Sequence, residues 1–323
     1  MKKYLLYLGV TILSICSCST TNKPVELIEA WFPWTGYLGE LYAEQITDSL
    51  YNIDIKIVDG ADNVNPIQLV LADKYLFGIA GAEAIIAANV NTGADLVAIG
   101  VVNYKSATCF ISLPEQNVHS PQDFTNKTIG ILPGTETETI YKALKQKYNL
   151  IIDPNNEIDI PNDIQTFLLN KYDIRPAFTY DEAVTLDRLG IEYHVIYPEE
   201  FGISTIGGVF FTRRKTINQN PDLVQQFVSS MAHGWEMAIA NPVEAVQLLK
   251  SHDPANIDED RELACFYKGL EYFKGENDLV MYASDHSWES FGNVLKMINR
   301  VDMTFNIHDI YDNSFINYYH QNK

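Results

Sequence analysis

The chain has 323 residues, a formal charge of −19 and 46% hydrophobic residues, which is enough length and apolar material for two lobes of about 100 to 200 residues each. So acidic a chain repels phosphate backbones and anionic headgroups, which excludes nucleic-acid binding and polybasic membrane docking.

Met1-Lys2-Lys3 is a basic start, and Tyr4 to Ile15 is an apolar run of secretory-signal length, too short and wrongly flanked for a spanning helix. The run ends in LSICSCST, where Cys18 follows the small Ser17 and stands three places after Ile15. This resembles a bacterial lipoprotein cleavage site. It implies a signal peptide over residues 1–17, Cys18 as the lipid anchor and 18–24 as a tether. The exported protein would then sit at the cell envelope, facing the periplasm or the exterior. Cys16 is the alternative anchor, although bulky Ile15 precedes it directly, and an ordinary signal peptide with incidental cysteines is the other reading. Removing 1–17 takes away Lys2 and Lys3 and no acid, so the remainder is more acidic still. It retains Cys109 and Cys265, which give no disulfide framework.

VELIEAW, 25–31, predicts a strand, and the aromatic turn WFPWTGY follows at 31–37. Proline cannot donate to a central ladder, so the stretch reads as a strand-to-helix turn able to display aromatics to a ligand. Leu38, Leu41, Tyr42, Ile46 and Leu50 then fall at helical spacing, with Thr35 a candidate N-cap. NIDIKIV alternates as a strand, NPIQLVLADK fits a helix with Pro66 in its first turn, and LFGIAG is a short apolar run. AEAIIAANV continues as a helix and ADLVAIGVV as a continuous apolar strand ending at Asn103. Strands alternating with helices predict a parallel sheet covered on both faces.

The plan repeats from ATCFISL: a short helix at SPQDF, a strand at KTIGIL, a helix over GTETETIYKALKQKYN, then DIRPAFTY, a helix over 181–189, and YHVIY. From VFFT onward the chain is mainly helical and is expected to pack back on the first unit. The expected organisation is lobe 1 from 25–108 and 208–323, with lobe 2 inserted as 109–207. The chain would cross between them at 107–111 and 204–209. Gly207 and Gly208 in STIGGV read either as a hinge or as a turn before a strand. The cleft between two such lobes is the default ligand site.

The order of elements, together with WFPWTGYLGELYAEQ, IQLVLADKYLFGIAGAE, HSPQDFTNKTIGI, AFTYDEAVTLDRLGIEYHVI and NPDLVQQFVSSMAHGWEMAIANPVEAV, resembles the solute-binding proteins of ABC importers. The branch it is most similar to binds thiamine pyrimidine precursors and is related to the taurine, alkanesulfonate and nitrate binders. The resemblance implies an α/β, two-lobed type II periplasmic-binding-protein fold that closes on a solute and delivers it to a permease and ATPase. The branch commonly shows Asp-Trp-x-Pro-Asn at the first turn, whereas this chain reads Ala30-Trp31-Phe32-Pro33-Trp34. The helix start at Gly134-Thr135, Glu83 after FGI, and Tyr180-Asp181-Glu182 keep the pattern, which places Thr135 among the ligand-binding candidates.

A helix N-terminus built for an anion wants bare N–H groups. Glu136 and Glu138 stand there instead. They would repel a sulfonate but accept from an amine or aminopyrimidine, or else serve as ordinary first-turn caps. Glu83 and Glu182 each follow a strand end and are expected on the cleft rim, or simply start their helices. Trp34 and Tyr37 from one lobe and Tyr180 from the other are expected to sandwich a planar ring, with Pro33 fixing the turn and Tyr104 a secondary wall. Tyr37 reads equally as a core residue, and Trp31 is expected to be buried by the strand end. Related fungal pyrimidine synthases imply an enzyme alternative, but they need a cysteine-rich motif and a cofactor-linking lysine, and this chain carries no cysteine cluster beyond the leader. No HExxH, paired-cysteine metal motif, GxSxG or P-loop occurs either, so no catalytic residue, metal or cofactor is expected. Other solutes (a sulfonate, nitrate or riboflavin-like molecule) and a ligand-sensing lipoprotein are the alternative functions.

Overall fold

The computed structural model describes residues 23–323, without the side chains of 47–49. The expected signal peptide, Cys16 and Cys18 lie outside the described residues. Among those described, no helix is long and apolar enough to cross a membrane.

In chain order, the first unit comprises β1 (Val25–Ile28), α1 (Leu38–Leu50), β2 (Ile55–Val58), α2 (Pro66–Leu71), β3 (Phe77–Gly81), α3 (Ala82–Thr92) and β4 (Leu96–Val101). The second comprises β5 (Thr108–Ser112), β6 (Ile129–Ile131), α4 (Glu136–Lys147), β7 (Glu157–Asp159), α5 (Gln165–Leu168), β8 (Ile174–Phe178), α6 (Glu182–Leu189) and β9 (His194–Ile196). Then follow β10 (Gly208–Arg213), α7 (Arg214–Gln219), α8 (Pro221–Ala240), α9 (Pro242–His252), α10 (Glu259–Phe273), α11 (Asp285–Met297) and α12 (Ser314–Asn322).

Two five-stranded sheets result, ordered β2-β1-β3-β10-β4 and β7-β6-β8-β5-β9. β1 pairs in parallel with β2 and β3, as the alternating pattern predicts. Neither sheet is wholly parallel, however. β10 returns from the second lobe and inserts antiparallel between β3 and β4, and β5 lies antiparallel to β8 and β9. A strand that re-enters a sheet after an excursion through another lobe arrives without a crossover helix, so the right-handed βαβ rule does not set its direction.

Alternation along β10 divides the core of the first lobe. Phe210 joins Leu27, Phe77, Phe227 and Trp235 on one face, while Val209 and Phe211 join Trp288 and Phe291 on the other. Phe77 and Phe227 stack with ring centroids 3.8 Å apart. The C-terminal helices do pack on this lobe, but the end of α11 also reaches the second: Val294 sits in the cluster of Ile131, Ile140 and Leu144.

Local signals explain most boundaries. Asn65 caps α2 by accepting from the Gln68 N–H, with Pro66 in the first turn. Ser120 and Asp123 form a capping box at the short 3-10 turn Pro121–Phe124. Thr35 is not the cap of α1: residues 35–37 form a 3-10 turn ahead of that helix, and the Thr35 N–H donates to the Glu262 carboxylate at 2.7 Å.

Candidate functional site

The two crossings run side by side. Val102 N–H donates to Gly208 O at 2.7 Å, Ser106 N–H to Thr205 O at 2.8 Å, and Gly207 N–H to Asn103 O at 3.2 Å. A Cβ on Gly207 would stand 3.0 Å from that of Asn103, so glycine here permits the close approach of the two strands. This floor carries buried polar atoms that have no hydrogen-bond partner among the described residues: Asn103 Nδ2, Thr108 Oγ1 and Thr205 Oγ1. Ser106, Thr108, Ile140, Thr205 and Tyr272 border a cavity of about 10 Å³, roughly the room of one water. Orphaned buried polar groups are rare and costly, and here donors cluster where the lobes meet.

Glu136, at the start of α4, completes the set. Its Oε1 is buried without a partner among the described residues. Burial pushes its pKa up to about 7, with the Ser106 hydroxyl opposing and the Glu83 charge adding to the rise. Glu83 is itself a cross-lobe residue. From the first turn of α3 it accepts from Thr139 Oγ1 on α4 at 2.5 Å and pairs with Arg300 at 3.3 Å. Burial raises its pKa more than these partners lower it.

The other expected acceptors are used elsewhere. Glu138 is ion-paired with Lys142 at 2.5 Å and accepts from the Gly134 N–H at 2.8 Å. Burial alone would raise its pKa, but these partners hold it below the ordinary carboxylate range. Glu182 lies within the second lobe, held by Arg175 at 3.3 Å and by the Phe178 N–H at 2.8 Å. Burial and the Asp181 charge raise its pKa against those two bonds. Both act as helix-start residues, which the local pattern allowed. Thr135 is exposed, with its hydroxyl turned back to Leu132 O at 2.7 Å.

Among the aromatics, Trp34 and Tyr180 meet across the cleft directly. Their rings stack with centroids 5.7 Å apart and planes 28° from parallel, so they are partners of each other rather than the two walls of a sandwich. Tyr180 is buried against Tyr272 and Phe273 of α10, and its hydroxyl donates to Asn103 Oδ1 at 3.4 Å. Burial, followed by the Glu136 charge, raises its pKa.

Tyr37 is fully buried, donating to the Trp31 carbonyl and accepting from the Gly60 N–H. It braces the aromatic turn and forms no wall. Trp31 is 38% exposed and Phe32 46% exposed. The strand that was to bury Trp31 stops at Ile28, because the chain then turns outward toward Pro33, which is half-buried. Tyr104 packs on the first-lobe cluster that contains Ile206 and Phe211.

Asn103, Ser106, Thr108 and Thr205 were not singled out from sequence. Their one signal is position, since these short polar residues lie within or just beside the two expected crossings. Also unforeseen is a buried carboxyl pair under the aromatic turn, Glu29 and Glu40. Neither oxygen of Glu40 has a partner of hydrogen-bond geometry among the described residues, and burial pushes its pKa up to about 8. Burial, with the charges of Glu40 and Asp59, raises that of Glu29 well above the usual range.

This architecture is that of the two-lobed type II periplasmic binding proteins. The Escherichia coli periplasmic aliphatic sulphonate-binding protein superposes with a TM-score of 0.70 at 13% identity, covering 90% of this chain and 94% of its own. The ligand-binding component of an ABC-type import system from Staphylococcus aureus, solved with zinc bound, superposes at 0.67 and 10% identity, covering 92% and 98%. In sequence, a Legionella pneumophila protein named 4-amino-5-hydroxymethyl-2-methylpyrimidine phosphate synthase is 22% identical over 305 residues, 92% of this chain and 94% of its own. Residues 51–245 match the family described as NMT1/THI5 like, and the chain belongs to that family.

Proposed function

We propose that the protein is a lipid-anchored solute-binding protein of an ABC importer, exported to the cell envelope, that takes a small nitrogen heterocycle such as a thiamine pyrimidine precursor in its inter-lobe cleft. The observation that carries this reading is the Glu136 carboxyl at the cleft floor, with an acceptor oxygen left unpaired. Tyr180 stands close enough to feel the Glu136 charge, and its hydroxyl donates to Asn103, whose amide nitrogen has no partner among the described residues. An aminopyrimidine offers the complementary set: an exocyclic amine to donate to Glu136, a ring nitrogen to accept from Asn103, and a flat face for Tyr180. A sulfonate or nitrate would instead bring its charge against Glu136 and Glu83 and pay for the mismatch.

Closure of the two lobes over the solute would shape the surface that a permease and its ATPase recognise, with lobe limits at 25–108 plus 208–323 and at 109–207. Lipidation at Cys18 would hold the protein at the membrane, and Cys18→Ala should release it into the soluble fraction. The test of the solute is calorimetric titration with 4-amino-5-hydroxymethyl-2-methylpyrimidine, thiamine, riboflavin, taurine and nitrate. Tight binding of taurine or nitrate alone would overturn the reading.

A synthase reading is favoured by the printed name of the Legionella relative. Against it, Cys109 and Cys265 are both buried and burial pushes both thiols up to about 12, so neither supplies a thiolate near neutral pH. Release of a pyrimidine phosphate by the purified protein would restore that reading.

A further inference from the structure

We propose that Trp34 is an internal occupant of the cleft: its indole, laid on Tyr180, fills the place of a planar solute and must be displaced before the solute binds. The inference rests on the solute-binding reading and adds a competitor that belongs to the chain itself.

A ring sandwiched between two others needs two stacking contacts in series, and a single such contact already spans about 4.5 to 7 Å between centroids. Trp34 and Tyr180 stand 5.7 Å apart, one contact's worth. Both rings are seated for this contact. A Cβ on Gly36 would lie 2.7 Å from the Trp34 indole, and a Cβ on Gly269 would lie 3.1 Å from Tyr180 Cγ. Glycine under each ring lets the indole fold back over its own turn and lets Tyr180 press onto α10.

The neighbours of Tyr180 hold the lobes together around the stack. Asp181 is paired with Arg261, and Arg188 with Asp258 at 3.1 Å, so α6 is clipped to α10. Trp34 is not fixed in the same manner. It is half-buried, its backbone is extended, and packing alone holds its side chain among the described residues. It is therefore the ring that can leave, while Tyr180, 3% exposed and bonded to Asn103, stays with its aromatic neighbours.

An internal occupant lowers apparent affinity by the fraction of molecules whose cleft is free, since Kd,app equals the intrinsic Kd divided by that fraction. Removing it should therefore tighten binding. The test uses the full chain with Cys16→Ser and Cys18→Ser and with spin labels on Val90→Cys and Leu189→Cys, exposed positions on opposite lobes; Cys109 and Cys265 are buried and stay unlabelled. Inter-label distances are measured without added ligand in this background, in Trp34→Ala and in Trp34→Phe. Titration with 4-amino-5-hydroxymethyl-2-methylpyrimidine follows in each.

The expected result is a longer, broader distance distribution in Trp34→Ala and an affinity raised about threefold or more, with Trp34→Phe close to the parent in distances and thermal midpoint. Unchanged distances in Trp34→Ala would overturn the proposal. So would a tenfold loss of affinity, which would make Trp34 a wall that stacks on the solute. If no variant binds the pyrimidine while the distances still shift, the solute assignment fails and the internal occupant stands.

Discussion

Glu83 Oε1 accepts a hydrogen bond from Thr139 Oγ1 at 2.5 Å, tying the first turn of α3 in one lobe to α4 in the other. The bond is buried and charge-assisted, a class worth about 1.5 to 3 kcal/mol. Thr139→Val keeps the shape and removes the donor, leaving Glu83 with Arg300. A stability loss of about 1 to 2 kcal/mol is expected by denaturant titration. An unchanged midpoint would mean that water replaces the hydroxyl.

Glu136 predicts a pH dependence of definite sign. Its pKa is pushed from the ordinary 4.5 up to about 7, chiefly by burial. Between those values the unfolded chain gives up this proton while the folded chain keeps it, so stability falls as pH rises through the window and levels off above it. Glu136→Gln removes this contribution. It should gain thermal midpoint relative to the parent at pH 8 and show no such gain at pH 4. Glu40, pushed up to about 8, acts with the same sign but is present in both proteins and cancels in the comparison. Equal differences at the two pH values would show that the folded Glu136 carboxyl titrates as a solvated one.

The aromatic turn separates brace from display. Tyr37→Phe deletes the hydroxyl that joins the Trp31 carbonyl to the Gly60 N–H inside the core. It should cost about 1 to 3 kcal/mol, because the buried Gly60 N–H and the part-buried Trp31 carbonyl lose their partner. Trp31→Ala, at a position 38% exposed, should cost less than about 1 kcal/mol. Chemical denaturation of the two variants checks the order, and the reverse order would return Trp31 to the core.

Charge pairs at the α6–α10 contact should differ in weight. Arg261 faces Asp181 across the lobes and also pairs at 2.6 Å with Glu262, a carboxylate only 4% exposed. Arg261→Ala leaves that buried carboxylate with the Thr35 N–H but no counter-charge and should cost about 2 to 3 kcal/mol. Arg188 and Asp258 are both largely exposed, so Arg188→Ala should cost under about 1 kcal/mol and lose even that at high salt. Comparable losses in the two variants would contradict this.

Periodicity made the element order legible in the sequence, and β2, α2, β3, α3 and β4 fall where the pattern puts them. Strand direction was not legible, because nothing in VFFT says that β10 will enter the first sheet between β3 and β4. Residue type and position at element ends pointed to Glu136, Glu83, Trp34 and Tyr180, which the structure brings to the contact between the lobes. The same cues also swept in Glu138 and Glu182, whose local partners Lys142 and Arg175 occupy them. Asn103, Ser106 and Thr205 escaped because their role arises from two strands 100 residues apart lying side by side.

If Glu136 receives the amine of a planar heterocycle at the cleft floor, removing its charge must show in solute affinity. Calorimetric titration of the parent chain and Glu136→Gln with 4-amino-5-hydroxymethyl-2-methylpyrimidine, and with taurine in parallel, measures that contact. Pyrimidine binding is expected to weaken about tenfold or more in the variant, the loss of one charge-assisted bond, with no measurable taurine binding in the parent. Pyrimidine affinity unchanged by Glu136→Gln, or taurine bound more tightly than the pyrimidine, would contradict this role for Glu136.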